Sequence, residues 1–508
     1  MDKGIGSWIV YHSQQRPEKI ALKYKDKQFT YQQFNSRVNK LANSLMELGI
    51  RHGDRVNVLL FNSNELMETL FACAKIGAIF VPVNYRLSAE EVEYILKDSS
   101  CQCFIYDNRL SNVVEVAVKN VTTINHVIQV GDTRTQDYIV YESLIEENSD
   151  QEPQFELEED DVHMMMYTSG TTGKPKGVML THGNTQWNAV NAIQYLSLSH
   201  RDVSLTVAPL FHIGGMNIFA TPILYKGGTV ILQDVFQPDE VLREIEKHSV
   251  TTLFLVPAMW MALMHSPALN KTDLSSLRIN IAGGSPCPLI VIEFFQKLNV
   301  PFYEGFGLTE TAPFVCLLDE EDVKRKNGSV GKTPMHTQVR IVNQHDEDVS
   351  DGEVGELLVK GPNVFKGYWN KPSETKKVLK DGWFYTGDLA MMDDEGFIYI
   401  VDRKKDMIIS GGENIYPAEI EQVLYKHPNV KDVAVVGLVD GKWGEIPKAY
   451  VVLHDSERLI TIDEVQKHCE GKLAKYKIPN HLEFLDILPR NATGKILKTK
   501  LRNIPVRK

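Results

Sequence analysis

Residues 167–178 concentrate groups that bind phosphate. The run reads Tyr-Thr-Ser-Gly-Thr-Thr-Gly-Lys-Pro-Lys-Gly-Val and follows an apolar stretch, residues 162–167, that predicts a buried strand. Hydroxyls, ammonium groups and the free N–H groups of a glycine-rich turn are the donors that a triphosphate requires. The run is not a Walker A loop, because Gly170 and Gly173 lie too close together and Pro175 stands where a Ser or Thr would bind Mg²⁺. It predicts a nucleotide-phosphate loop of another type, with an ordinary glycine-rich turn as the alternative.

Further short motifs follow in order along the chain. They are Pro209-Leu-Phe-His212, Tyr303-Glu-Gly-Phe-Gly-Leu-Thr-Glu310, Trp383-Phe-Tyr-Thr-Gly-Asp388, Asp402-Arg-Lys-Lys-Asp406 and Thr493-Gly-Lys495. Together with residues 167–178 they resemble the signature motifs of the AMP-forming acyl-CoA synthetases. These belong to the adenylate-forming enzymes, which also include aryl-CoA ligases, luciferases and adenylation domains. One such motif is a weak signal, but the whole series in the family's order spans nearly all of the chain.

Bulk composition limits the class of protein. A chain of 508 residues predicts two or more domains, and a net charge of −11 argues against a nucleic-acid binder. Six cysteines are too few for a disulfide framework, and Cys101 and Cys103 have the spacing of strand residues rather than of metal ligands. The N-terminus lacks a signal sequence, and prolines and glycines interrupt the uncharged stretch 203–225, so no transmembrane segment is predicted. We expect a cytoplasmic protein, with peripheral membrane contact and a homodimer left open.

Hydrophobic periodicity predicts an α/β fold. Thr30 and Gln33 have the spacing of a capping box before a helical apolar face, and residues 55–61 and 78–82 predict strands around a helix at 65–75. This alternation favours a large N-terminal α/β domain of several subdomains with largely parallel sheets. The acidic stretch 146–161 predicts an exposed connection.

A change of pattern near residue 402 predicts a second domain. Beyond it the chain predicts a small, mobile α+β domain, with a helix at 418–427 and strands at 433–438 and 449–453. We expect an N-terminal domain at 1–402, a hinge near 403–405 and a C-terminal domain at 406–508. The resemblance makes Lys405 the pivot, whereas the charges alone would also suit a solvated turn.

The resemblance implies how ATP and Mg²⁺ bind. Lys495 matches the family's adenylation lysine, which brings positive charge to the carboxylate and the α-phosphate. Glu310 matches the Mg²⁺ carboxylate, with Thr168 as a further oxygen ligand and Thr309 near the α-phosphate. The phosphate loop supplies Thr168, Ser169, Gly170, Thr171, Thr172, Gly173, Lys174 and Lys176.

The same resemblance assigns residues to adenosine and coenzyme A. Asp388 matches the ribose contact, with a turn residue after Gly387 as the alternative, and Arg403 matches the ribose contact at the hinge. The residues that match the adenine-side wall are Gly284, Ser285, Pro286, Tyr303, Gly305, Phe306 and Gly307. Those that match the CoA path are Gly411, Gly412 and Trp443, with Lys477 as a further CoA contact; core and surface roles are the alternatives for the last two.

The sequence says least about the identity of the carboxylic-acid substrate. His212 is placed with the catalytic groups because it can hydrogen-bond a substrate carbonyl. The segments 212–219 and 281–284 are apolar and small and carry no basic residue for a second carboxylate. The motif wording resembles bacterial medium- to long-chain fatty-acyl-CoA synthetases, so we expect a fatty acid as substrate. The alternatives are an aryl- or succinylbenzoate-type CoA ligase and a stand-alone adenylation enzyme that loads a carrier protein. Lys495 and Glu310 argue against an inactive binding protein.

Overall fold

A computed structural model describes residues 4–131, 138–168, 174–285, 287–490 and 496–504. Within these ranges the chain has a mixed α/β fold with largely parallel sheets in its N-terminal part, which confirms the predicted fold class. The chain divides into two compact units, Met1–Val339 with Val359–Phe384, and Arg340–Leu358 with Tyr385–Lys508. The predicted hinge at 403–405 stays a prediction. None of the described helices is long and apolar enough to cross a membrane.

Two sheets form the framework of the first unit. The first runs in the order Phe314–Leu318, Tyr303–Gly307, Ile279–Ala282, Thr252–Leu255, Val203–Thr206, Thr229–Leu232, Ile20–Tyr24, Lys27–Thr30. The second runs in the order Gly367–Tyr368, Lys176–Thr181, Val162–Thr168, Ile79–Pro82, Arg55–Leu59, Cys103–Asp107, His126–Val130, Ile139–Val140. The inner strands pair in parallel. Antiparallel strands close both ends of the first sheet and one end of the second, whose other end strand, Ile139–Val140, pairs in parallel. Near-continuous apolar runs in the inner strands fit sheets that are covered on both faces.

Helices of the first unit cover these sheets. They are Ser7–Gln15, Tyr31–Glu47, Asn64–Ile76, Ala89–Asp98, Ser111–Ala117, Tyr141–Glu147, His182–Leu196, Ile213–Gly215, Thr221–Lys226, Pro238–His248, Pro257–Met264, Leu289–Lys297 and Pro372–Val378. The predicted capping box is confirmed, since Gln33 and Thr30 exchange side-chain and backbone hydrogen bonds at the start of Tyr31–Glu47. The stretch 203–225 contains a strand and short buried helices, as predicted.

The second unit has its own small core. Its sheet runs in the order Glu413–Ile415, Ile408–Ser410, Gly444–Leu453, Val430–Asp440, and His481–Phe484 pairs with Gly444–Leu453. Its helices are Pro417–Leu424, Ile462–Cys469 and Lys498–Arg502. A further sheet runs in the order Gln338–Val342, Gly355–Lys360, Trp383–Met392, Leu379–Lys380, with Ile398–Arg403 beside Trp383–Met392. The strands at 430–440 and 444–453 are longer than predicted because they pair with each other in an antiparallel ladder, which has one register shift between Val430 and Asp432.

Most of the acidic stretch 146–161 is exposed, as predicted, but part of it is anchored to the first unit. Asn39 donates a hydrogen bond to the carbonyl of Asp150 at 2.9 Å, and Lys75 contacts the Glu152 carboxylate at 2.6 Å. The Lys75 side chain is buried, and a buried ammonium group requires such a partner. This part of the connection is therefore packed against the helix Tyr31–Glu47.

A stacked histidine pair beside the phosphate hairpin predicts acid sensitivity. His163 and His182 are buried with ring centroids 4.9 Å apart. Burial lowers the pKa of His182 to about 4, and it holds the pKa of His163 well below its ordinary value. Both folded values lie below the unfolded value, so this stability is complete above about pH 6.5 and is lost as the pH falls. We expect His182 alone to reduce the free energy of unfolding by about 2 kcal/mol between pH 7 and pH 5.

Urea unfolding at both pH values measures this effect. His182→Asn is the control, because its amide oxygen can accept the Ile5 N–H that now bonds Nδ1 of His182, yet it cannot be protonated. A smaller loss in this variant is expected. Equal losses in the variant and the parent chain would contradict the assignment.

Candidate active site

The phosphate loop joins the two strands of a hairpin. Val162–Thr168 pairs antiparallel with Lys176–Thr181, and Thr168 lies opposite Lys176. The helix His182–Leu196 begins only after the second strand, at a Thr181 capping box. In a Walker A site the loop leads directly into a helix, so this connection confirms the exclusion made from the sequence. The predicted residues Ser169, Gly170, Thr171, Thr172 and Gly173 lie outside the described residues.

The C-terminal end of the loop contacts the side chain of Tyr94. The Tyr94 hydroxyl donates to the Pro175 carbonyl at 3.1 Å, and Nζ of Lys174 lies 5.3 Å from the centre of the Tyr94 ring. Lys176 forms an ion pair with Glu374, which lowers the pKa of that carboxyl group. Two of the predicted phosphate-binding lysines are therefore held at the base of the loop.

Glu310 is held at both its backbone and its side chain. It lies in the short 3-10 turn Thr309–Thr311, directly after the strand Tyr303–Gly307. The Phe365 N–H donates to the Glu310 carbonyl at 2.9 Å, and the Tyr368 hydroxyl donates to Oε1 of Glu310 at 2.9 Å. The carboxylate of Glu310 and the hydroxyl of Thr168 are hard oxygen donors, which is the chemistry that Mg²⁺ prefers. The donor set therefore fits the metal implied by the sequence.

Buried asparagines fix the segment that carries Glu310. Asn363 donates from Nδ2 to the carbonyls of Thr311 and Phe314 at 2.7 and 2.8 Å, and Oδ1 of Asn188 accepts the Phe314 N–H at 3.1 Å. Both asparagines are fully buried. Sequence reasoning missed them and Tyr368, because each acts on a segment that is distant along the chain.

The predicted adenine wall lies at one edge of the first sheet. Ile279–Ala282 and Tyr303–Gly307 pair in parallel, with Tyr303 opposite Ile281, so their carboxyl ends meet where ligands of open α/β sheets bind. Gly284 has φ +85°, and a Cβ on Gly307 would lie 1.8 Å from the Pro313 carbonyl oxygen, so a larger residue would strain or displace the backbone. The other predicted residues are exposed Ser285, partly buried Gly305 and Phe306, and Pro286, which lies outside the described residues.

Glu304 was not singled out from the sequence. Its buried carboxylate accepts the Cys287 N–H at 3.1 Å, just after the Gly284 segment, and burial raises the pKa of Glu304 to about 7. The sequence signal that could have identified Glu304 was its position inside the predicted adenine motif, directly after Tyr303. Through this hydrogen bond Glu304 anchors the backbone at Cys287, next to the predicted adenine segment.

The acyl segments surround His212 and Phe254. Among the described residues, Nε2 of His212 is buried without a hydrogen-bond partner, and burial, reinforced by the charge of Arg86, lowers the pKa of His212 to about 4. The imidazole is therefore neutral at neutral pH. Cβ atoms on Gly214 and Gly283 would lie 3.0 and 3.1 Å from opposite edges of the Phe254 ring. Glycine at these positions leaves room for an aromatic side chain between the two predicted acyl segments.

Aromatic rings continue from His212 toward the surface. The ring centroids of Phe211 and His212 are 4.6 Å apart, those of Tyr85 and Phe211 are 5.3 Å apart, and those of Phe61 and Tyr85 are 4.3 Å apart. The guanidinium of Arg86 lies 5.3 Å from the Tyr85 ring. A basic residue therefore lies near the acyl segments, although the segments themselves carry none.

In the second unit, Asp388 and Arg403 lie opposite each other on paired strands. Nε of Arg403 is 2.6 Å from Oδ1 of the buried Asp388. The Asp388 N–H donates to Oγ1 of Thr386 at 3.0 Å. Asp388 lies within the strand Trp383–Met392 rather than in the turn considered as its alternative.

Gly411 and Trp443 are in contact within the second unit. The Gly411 N–H donates to the Trp443 carbonyl at 2.7 Å, and a Cβ on Gly411 would lie 2.8 Å from the indole. The side chain of Trp443 is half exposed. Gly412 is exposed, with φ +92°. Lys477 is bound by Glu419 at 2.7 Å.

Lys405 is exposed, and its carbonyl accepts a hydrogen bond from Arg502 at 3.3 Å. Arg502 also contacts Asp406 at 3.2 Å. The helix Lys498–Arg502 therefore packs beside the predicted hinge. The adenylation lysine, Lys495, lies outside the described residues, and so do Thr493 and Gly494.

The chain is similar to known proteins over nearly its whole length. Residues 10–369 match the AMP-binding enzyme family, and residues 419–495 match the AMP-binding enzyme C-terminal domain. A feruloyl-CoA synthase of Amycolatopsis sp is 42% identical over 502 residues, covering 99% of each chain. An indoleacetate–CoA ligase of Aromatoleum aromaticum is 40% identical over 508 residues, covering 99% of this chain and 98% of the relative.

Solved structures match over the same length. The o-succinylbenzoate CoA synthetase of Bacillus subtilis, solved with its acyl-adenylate, has a TM-score of 0.87 at 36% identity, with 98% of each chain covered. The same enzyme, with ATP and a magnesium ion bound, has a TM-score of 0.87 at 35% identity and covers 98% of this chain and 99% of that one. A fatty acyl CoA synthetase of Mycobacterium tuberculosis has a TM-score of 0.80 at 36% identity, with 98% of each chain covered.

Proposed function

Because this chain belongs to the family of AMP-binding enzymes, we propose that it joins an aromatic carboxylic acid to coenzyme A through an acyl-adenylate. The relatives that match its whole length are named CoA ligases or synthases, so the reaction class is AMP-forming acid–thiol ligation. The single observation that supports an aromatic substrate is that these relatives are all named for acids with an aromatic ring. These matches confirm the adenylate-forming acyl-CoA ligases as the family that the motifs predicted, but they do not confirm its fatty-acyl branch.

An aromatic acid replaces the fatty acid expected from the sequence. Feruloyl, indoleacetyl and succinylbenzoyl groups all carry an aromatic ring, and these names belong to relatives with 35% identity or more. A flat substrate can make stacking and edge contacts with aromatic rings. Such rings are supplied by Phe254, which lies between Gly214 and Gly283, and by Phe211 and Tyr85. A fatty acid remains the second candidate, because one neighbour of similar identity is named a fatty acyl CoA synthetase.

The first half-reaction brings two anions together. A substrate carboxylate oxygen attacks the α-phosphorus of ATP, the bond to the β-phosphate breaks and pyrophosphate leaves. Lys495 supplies positive charge to the carboxylate and the α-phosphate, and the phosphate loop holds the β- and γ-phosphates. Glu310 and Thr168 would hold Mg²⁺, which neutralises phosphate charge when bound. Neutral His212 can donate a hydrogen bond from Nε2 to a substrate oxygen in the tautomer that carries its proton on that nitrogen.

The second half-reaction transfers the acyl group to sulfur. The CoA thiol loses its proton to solvent and its sulfur attacks the acyl carbon. The bond from this carbon to the AMP oxygen then breaks, and AMP leaves with an oxygen from the acid. A free thiol has a pKa of about 8.5, so only a small fraction of it is thiolate at neutral pH. This step therefore depends largely on holding the thiol close to the acyl carbon. Rotation at Lys405 brings Gly411, Gly412 and the exposed indole of Trp443 to the pantetheine path.

Asp388→Ala is expected to raise the KM for ATP by about 10- to 100-fold with a smaller change in kcat. Hydrogen bonds from the ribose hydroxyls to a charged acceptor are worth about 1.5–3 kcal/mol, and the variant leaves them unmade. Steady-state pyrophosphate release at varied ATP measures the effect. Asp348→Ala is the control, because it breaks an exposed Arg340 ion pair of 2.7 Å. An unchanged KM in Asp388→Ala would remove Asp388 from the ribose site.

A panel of acids tests the substrate class. Pyrophosphate release is measured with acetate, octanoate, palmitate, benzoate, ferulate, indoleacetate and succinylbenzoate, each with and without CoA. We expect aromatic acids to give the highest kcat/KM, with CoA accelerating turnover. Preference for octanoate or palmitate would restore the fatty-acid alternative, and release indifferent to CoA would indicate a carrier protein as acceptor.

A further inference from the structure

The segment 365–369 lies between two parts of the proposed ATP site. Its short strand Gly367–Tyr368 pairs with Lys176–Thr181, the strand that leaves the phosphate loop, and Tyr368 lies opposite Val178. The Trp369 N–H donates to the Gly177 carbonyl at 2.8 Å, and the Lys366 N–H donates to the Met179 carbonyl at 3.0 Å. The position of this segment is therefore set by the same strand that begins at Lys176.

The other side of the segment holds Glu310. Phe365 donates its N–H to the backbone carbonyl of Glu310, and Tyr368 donates its hydroxyl to Oε1, each at 2.9 Å. In the ranges that the structure describes, no hydrogen bond engages Oε2 of Glu310. The carboxylate is thus fixed through one oxygen, while the other stays available to a ligand.

The Tyr368 ring cannot move freely. It is buried with its centroid 5.0 Å from that of Phe365, and its backbone N–H donates to Oγ1 of Thr375 at 2.9 Å. Nζ of Lys176 lies 5.1 Å from the ring centre, a distance at which a cation is attracted to an aromatic face. One side chain therefore contacts both Glu310 and Lys176, the last residue of the phosphate loop.

We propose that Tyr368 is a positioning residue that holds Glu310 in its metal-binding rotamer and in register with the phosphate loop. The inference rests on the proposed role of Glu310 as a Mg²⁺ ligand. Outer partners that orient a ligating carboxylate raise metal affinity because the free side chain loses less rotamer freedom on binding. The hydroxyl performs this task, and the ring keeps the hydroxyl in place.

Tyr368→Phe removes the hydroxyl and keeps the ring. Mn²⁺ binding is measured by electron paramagnetic resonance in the presence of a non-hydrolysable ATP analogue, which needs no turnover. We expect affinity for Mn²⁺ to weaken about 10-fold. The Mg²⁺ concentration for half-maximal pyrophosphate release should rise similarly, with kcat at saturating Mg²⁺ close to the parent value.

A matched control separates positioning from general packing. Tyr31→Phe also removes a buried hydroxyl, which donates to the Gly228 carbonyl at 2.8 Å, and it should leave Mn²⁺ affinity unchanged. In a Glu310→Gln background, Tyr368→Phe should cause no further loss of Mn²⁺ affinity, because the proposal makes Tyr368 act on the metal only through the Glu310 carboxylate, which that background lacks. If Tyr368→Phe does not fold, Thr375→Val tests the same support, with a smaller loss of Mn²⁺ affinity expected.

The results distinguish this proposal from the function on which it rests. Unchanged Mn²⁺ affinity in Tyr368→Phe, with weakened affinity in Glu310→Gln, would overturn the positioning role alone. Unchanged affinity in Glu310→Gln would instead remove the metal role of Glu310. Additive losses in the double variant would show that Tyr368 acts independently of Glu310 and would also overturn the proposal.

Discussion

Lys495→Ala is expected to slow acyl-adenylate formation by about 10²- to 10³-fold while thioester formation from supplied acyl-AMP stays close to that of the parent enzyme. The carboxylate and the triphosphate repel each other, and loss of one preorganised donor at the reacting centre typically costs this much. In the second half-reaction pyrophosphate has already left and the thiol attacks the acyl carbon rather than the α-phosphorus. The positive charge of the lysine therefore contributes less to this step. Lys495 lies outside the described residues, and the expectation rests on its motif and on this chemistry.

Both half-reactions can be measured separately. Pyrophosphate release in single turnover follows adenylation, and acyl-CoA formation from synthetic acyl-AMP follows thioester formation. Lys500→Ala is the control, because it removes an exposed lysine of the same segment. Equal loss of both half-reactions in Lys495→Ala would contradict its assignment to adenylation.

Lys405→Pro is expected to show the opposite pattern, with acyl-CoA formation reduced by about 100-fold or more and adenylation retained. Proline fixes φ near −65° and so prevents the backbone rotation that the second half-reaction requires at a pivot. Residues 403–406 form a turn in which the Asp406 N–H donates to the Arg403 carbonyl at 2.9 Å. A proline inside this turn restricts the residue before it as well.

Lys405→Ala separates rigidity from loss of charge. It keeps the freedom of the backbone and should retain both half-reactions. Unchanged acyl-CoA formation in Lys405→Pro would place the hinge elsewhere. A parallel fall in both half-reactions, with a lower unfolding temperature, would show that the proline disturbs the turn rather than the rotation.

Local patterns in the sequence predicted much of the fold. The Thr30 capping box, the strand Val162–Thr168 and the alternation of helices with parallel strands depend on neighbouring residues, and the structure confirms them. The length of Val430–Asp440 was underestimated, because it depends on pairing with Gly444–Leu453. The packing of Glu152 on buried Lys75 was missed for the same reason, since the two residues are distant in sequence.

The candidate site was predicted as motifs but not as a network. Glu310 and Asp388 were predicted because each lies in a motif that resembles the family's signature. Tyr368 and Asn363 were recognised only from their hydrogen bonds to distant segments. The relatives favour the aryl-type alternative over the fatty acid that we expected. The sequence could not decide between the two acids, because small apolar residues do not distinguish a tunnel for a chain from a slot for a ring. The ring of Phe254 enters between Gly214 and Gly283 from a separate strand.

The central claim is that the acid is activated by attack of its own oxygen on the α-phosphate. The most direct measurement uses benzoate or ferulate labelled with ¹⁸O in its carboxylate, turned over with ATP, Mg²⁺ and CoA, with mass spectrometry of the products. One labelled oxygen in AMP and unlabelled pyrophosphate are expected. Label in inorganic phosphate, or AMP without label, would contradict an acyl-adenylate intermediate.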